Sequence, residues 1–251
     1  MLHVSQSPDS DSGSFALGEW LPRDDRSLSD AAERLMDRAG LDPDLRPTAI
    51  YIIPAQSAFC QGGWSGYATA PPTSAVHLCS FVARALADPT RIDGRDWKGR
   101  PARAPAIFLH ECVHVSLFKL FPLPVPARLL RVAPSLASGG HDPLFAAVVA
   151  TLYARCGIKI PVSPYDCGWA SVDADDWAGP DWVLGWAQGF ANRRHAARPE
   201  PVQRLALAAL REFDERYFSR EPSRWQWWRR SGNGSAVARG YRRMRESLLR
   251  R

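Results

Sequence analysis

Several features are missing from this 251-residue chain, and each absence excludes a class of protein. No run of about 20 apolar residues could span a bilayer. The opening stretch MLHVSQSPDSDSGSF has neither a basic leader nor a continuous apolar block, so no secretory signal is expected. The five cysteines, Cys60, Cys79, Cys112, Cys156 and Cys167, are odd in number and form no CxxC pair. That spacing excludes a zinc ribbon and favours reduced thiols in a cytoplasmic protein. Asp173, Asp175 and Asp176 lack the distal Glu of an EF-hand. They read as a solvated face among Trp169, Trp177, Trp182 and Trp186, which are expected to cover the core. No glutamate lies between Glu111 and Glu200, and no lysine follows residue 191.

What is present is His110-Glu111-Cys112-Val113-His114. Four residues advance an α-helix by about 400°, so the two imidazoles project from one face, a turn apart, and can reach one metal ion. Glu111 lies roughly 100° round from His110, where a carboxylate can hold a metal-bound water and take its proton, as HExxH chemistry requires. Cys112 points roughly 160° away from His110 and reads as a packing residue. Around the motif, residues 104–121 carry Ile107, Phe108, Leu109, Val113, Leu117, Leu120 and Phe121. A helix apolar on nearly every side belongs in a core.

A catalytic zinc takes three protein ligands and leaves a fourth position for water. The extended motif HExxHxxGxxH would need Gly and His where this chain has Leu117 and Leu120. A ligand Glu from a following helix is missing as well. His141 is the remaining candidate, just ahead of a helical pattern of Leu144, Ala147, Val148, Thr151 and Leu152 that Gly157 would stop. Asp142 competes with it, since carboxylate oxygen also suits zinc.

HECVH, an interval of 26 residues, and then His-x-x-x-Phe opening a second helix resemble the SprT-like zinc metallopeptidases. The resemblance covers roughly residues 49–157. It departs at Asp142, where the family has Gly, and in the Pro-rich stretch 121–134. By position it implies zinc on His110, His114 and His141, with Glu111 as general base. It also implies proteolysis, in some members directed at proteins on DNA.

Composition divides the chain further. Residues 1–26, rich in Ser, Asp and Gly, are expected to be a flexible tail. Ser29-Asp30 and Gly40 bracket a short helix, and residues 48–53 read as a strand between Pro47 and Pro54. After a Gly-rich loop at 61–66, residues 74–87 fit either state, and the first half is read as strand. His77 within it reads as a partly buried polar residue. Tyr153 and Tyr165 receive no role.

Residues 192–251 hold 16 arginines and 6 acidic residues, a net of +10, whereas residues 1–191 carry a net of −4. Within this basic extension, 202–218 is expected to be an amphipathic helix with Leu205, Leu207, Leu210, Phe213 and Tyr217 toward the core. Trp225, Trp227 and Trp228 beside Arg229 and Arg230, with Arg242 and Arg243 beyond, combine stacking surface with phosphate-binding guanidinium groups. DNA is therefore a candidate partner. The expected fold is α+β: a zincin-like small mixed sheet packed on the metal-bearing HExxH helix over residues 27–191, with a basic helical C-terminal extension over 192–251. Two functions are compatible with this pattern, a zinc metallopeptidase and a non-catalytic nucleic-acid-binding or interaction protein of zincin-like fold. Glu111 favours the first, because a purely structural metal needs no acid beside its ligand.

Overall fold

The computed structural model describes residues 3–6, 25–62, 65–88, 103–120, 133–137, 139–159, 181–197 and 200–217. Four strands build one sheet: β1 (His3–Gln6), β2 (Ala49–Ile53), β3 (Gly66–Ala68) and β4 (Ala75–Cys79), in the order β1-β2-β4-β3. β1, β2 and β4 are mutually parallel, and β3 is an antiparallel edge. In β2 the β-branched run that suggested a strand does form one, and Ile50, Ile52 and Ile53 are buried. The ambiguous segment resolves at Cys79, where β4 passes directly into α3 (Ser80–Ala87).

Helix α1 (Asp25–Ala39) ends at Gly40, whose φ of 73° is one that Gly adopts without strain. It begins earlier than the Ser29-Asp30 pair suggested, and Ser29 is buried inside it. A short α2 (Ala58–Gln61), capped by the Ser57 side chain, comes after β2. The central helix is α4 (Arg103–Leu120), which tolerates Pro105 because the first helical turn has no intrahelical acceptor to lose. It is buried along almost its whole length, as an all-round apolar helix should be. α5 (Pro143–Cys156) packs beside it and stops at Gly157, in the left-handed region at φ 68°. The C-terminal part comprises α6 (Asp181–Asn192), α7 (Arg194–Ala197) and α8 (Val202–Tyr217). Among the described residues no helix is long and apolar enough to cross a membrane.

Four expectations are corrected. His3–Gln6 is not tail but pairs with β2 from His3↔Ala49 to Gln6↔Ile52; main-chain pairing on an open edge asks little of side-chain composition. The expected boundary at 191/192 falls within α6, and the core-facing side expected of α8 packs on the same core as the preceding residues: Val202, Leu205, Ala206, Ala209 and Phe213 are buried, with Phe213 edge-on to Trp186. Leu207 is 36% exposed, because it lies about 200° round the helix from Leu205. Finally, Cys60 and Cys79 form a disulfide with Cα atoms 6.0 Å apart. The absence of metal-knuckle spacing says nothing about a pair that the β2–α2–β4 path brings together, and a disulfide is at odds with persistently reducing surroundings. Cys112 and Cys156 are free thiols, while Cys167 lies outside the described residues.

Candidate metal centre

His110 and His114 occupy one face of α4, one turn apart, as their spacing requires. His141 arrives from the other side, immediately before α5, and the three residues offer ring nitrogens within 4.8 Å of one another. His114 Nε2 and His141 Nε2 stand 3.0 Å apart. Two nitrogens on a tetrahedral zinc at ordinary bond lengths are separated by about 3.3 Å, so the pair already has nearly the spacing of co-ligands. His110 and His114 are 4% and 5% exposed, and His141 is only partly buried. The cluster therefore opens toward His141.

Phe145, fully buried on the first turn of α5, is the floor of the cluster. Its ring stacks on His114 at 4.3 Å and on His141 at 4.5 Å, and meets His110 edge-on at 4.9 Å. Packing of this kind restricts the rotamers of all three imidazoles. Burial, and then the proximity of His110 and His141, hold the His114 pKa well below its usual value. Its ring is neutral at physiological pH and so has a lone pair to give. His114 Nδ1 is buried without a hydrogen-bond partner among the protein atoms. Three converging imidazoles in an apolar surround fit a divalent cation of borderline softness; N₃ donation with a fourth position open is a common catalytic zinc set.

Glu111 is buried at 5% exposure on the same helix. Beside it runs the edge strand β3. A Cβ placed on Gly66 would come within 2.7 Å of the His77 carbonyl oxygen, 3.1 Å of Leu78 Cδ2 and 3.5 Å of Glu111 Cγ. Only glycine lets the edge strand approach β4 and the Glu111 side chain this closely.

Asp142, the rival to His141, does not join the cluster. Its Oδ1 accepts the Phe145 N–H at 2.9 Å and its Oδ2 accepts the Ser135 N–H at 2.9 Å. It is the N-cap of α5, with Pro143 in the first helical position. Burial pushes its pKa up to about 6 against the opposing pull of those N–H groups. Cys112 is fully buried, and burial, then Glu111, raise its thiol well above the ordinary range. It stays protonated, consistent with a packing role. Tyr153 donates its hydroxyl to the Ala106 carbonyl at 3.1 Å, joining α5 to α4.

Sequence reasoning missed the floor formed by Phe145, the anchoring by Asp142 and the approach of Gly66. Asp-Pro directly ahead of a helical pattern is a cap signature, and it would have revealed the second of these. Trp225, Trp227, Trp228, Arg229, Arg230, Arg242, Arg243 and Tyr165 lie outside the described residues. No family model, no curated protein and no solved structure matches the chain.

Proposed function

We propose that this protein is a zinc-dependent metallopeptidase of the SprT-like, zincin-like kind, with His110, His114 and His141 as the ligands and Glu111 as general base. The convergence of three imidazoles, with a buried glutamate next to His110 on the same helix, carries this reading. Bound zinc would supply Lewis acidity, lowering the pKa of a coordinated water toward about 7 and polarising a carbonyl.

The chain's own residues account for the rest. Glu111, one residue from His110 on α4, accepts a proton from the attacking water and returns it to the leaving amine. The apolar floor of Phe145 favours neutral imidazoles and excludes bulk water from their inner side. β3 presents a sheet edge beside Glu111, where an extended peptide can pair through its main chain. A glutamate at this place favours the peptidase over a non-catalytic metal protein. Recruitment to DNA through residues 192–251 rests on their arginine and tryptophan content alone.

Metal analysis of the purified protein tests the site, with one zinc per chain expected. Glu111→Gln tests the chemistry. It preserves volume and hydrogen-bonding reach but not basicity, so zinc content and Tm should hold while peptide hydrolysis falls by about two orders of magnitude or more. Undiminished hydrolysis in that variant would refute the mechanism.

A further inference from the structure

His141 is the only one of the three histidines that no helix positions. The residues ahead of it are Gly139 and Gly140, which contribute no side chain, and a Cβ on Gly139 would meet nothing within 4 Å. Its neighbour on the other side is Asp142, 1% exposed. The bond from Asp142 Oδ1 to the Phe145 N–H is an ordinary helix cap, which Asn or Ser would also make. The bond from Oδ2 to the Ser135 N–H is not part of a cap. Ser135 belongs to a separate 3-10 turn, Pro134–Leu136, that lies ahead of α5 and packs on α4. Burying a carboxylate is costly unless both oxygens are satisfied, and a cap alone does not require a carboxylate. The second bond supplies the reason for one.

We propose that Asp142 is a positioning residue: by tying the first turn of α5 to the 134–136 turn, its carboxylate fixes the backbone at residues 141–142 and holds His141 Nε2 against His114 Nε2. The consequence for metal affinity rests on the metal reading of the three histidines, but the geometric claim does not. One side chain clamps a connection poor in side chains to two packed elements at once. Asp142 thereby adds support to the one histidine of the three that no helix carries.

The test separates the two bonds. Asp142→Ser retains a capping oxygen but is too short to serve both segments. Asp142→Asn has one acceptor oxygen, and its amide nitrogen cannot accept a main-chain N–H. Asp142→Ala loses both bonds. Zinc titration should show Ser and Asn variants binding about 10- to 100-fold more weakly than the parent, the usual cost of losing a group that orients a ligand, with Tm closer to the parent than that of the Ala variant. Ring ¹H–¹⁵N NMR of the metal-free proteins should show the His114–His141 contact in the parent and its loss in all three variants. Parent-like zinc affinity in the Ser and Asn variants, or weakening confined to Ala and proportional to its loss of Tm, would overturn the proposal. If the parent takes up no zinc, the metal reading fails, and the ring contact alone decides: its loss in the variants upholds the positioning role and its persistence refutes it.

Discussion

Among the described residues, histidine packs on aromatic rings both in the sheet and between α4 and α5, and the two arrangements differ. On the sheet, His77 is buried in a cross-strand row with Tyr51 on β2 and Tyr67 on β3, its ring 4.9 Å from the first and 4.2 Å from the second. Between α4 and α5, His110, His114 and His141 also pack on an aromatic ring, but there the ring nitrogens face one another. In the first region the imidazole behaves as one more flat ring in a stack. In the second, the aromatic ring serves the imidazoles by holding them in place. Burial and stacking therefore do not distinguish a site from a core. Convergence of donor atoms does.

The comparison can be broken most sharply by metal content. His114→Ala should reduce bound zinc to near zero, whereas His77→Phe, which keeps a stacking ring between the tyrosines, should leave it unchanged. Equal zinc in both variants, by elemental analysis, would mean that the converging nitrogens hold no ion. The next largest effect is expected at the floor of the cluster. Phe145→Ala removes a fully buried ring and should cost about 3 to 5 kcal/mol in chemical denaturation; Tyr67→Ala, on a half-buried edge position, should cost less. The reverse order would show that the sheet row, not the cluster, is the tighter packing.

The Cys60–Cys79 bridge sits at the sheet end of the comparison and closes a sequence separation of 19 residues. Replacing both cysteines with Ser should cost about 3 kcal/mol, and thiol titration of the native chain under denaturing conditions should find these two oxidised. Two additional reactive thiols there would remove the bridge. The smallest effect is expected on α8. Leu207→Ser should change stability by no more than about 0.5 kcal/mol, while Leu205→Ala, one face away and fully buried, should cost about 2 to 5 kcal/mol. A large loss at Leu207 would mean that its face is covered in solution.

Local order determined much of this protein. The two histidines of HECVH had to share a face once residues 103–120 formed a helix, because 3.6 residues per turn leaves no alternative. β2 and the stops at Gly40 and Gly157 were legible for the same reason: β-branching, proline and left-handed glycine act on the residue where they stand or its immediate neighbours. The sequence also proposed His141 as a third ligand, with Asp142 as its rival. What separates the two is which polar atoms are already committed, and only the tertiary structure shows both Asp142 oxygens taken by main-chain N–H groups from two elements. Tertiary structure likewise decided that Cys60 meets Cys79, that β1 joins the sheet, that Leu207 faces outward and that α8 meets α5 and Trp186 of α6. Each of these depends on a contact between segments distant in the chain, and spacing along one segment cannot encode what another brings to meet it.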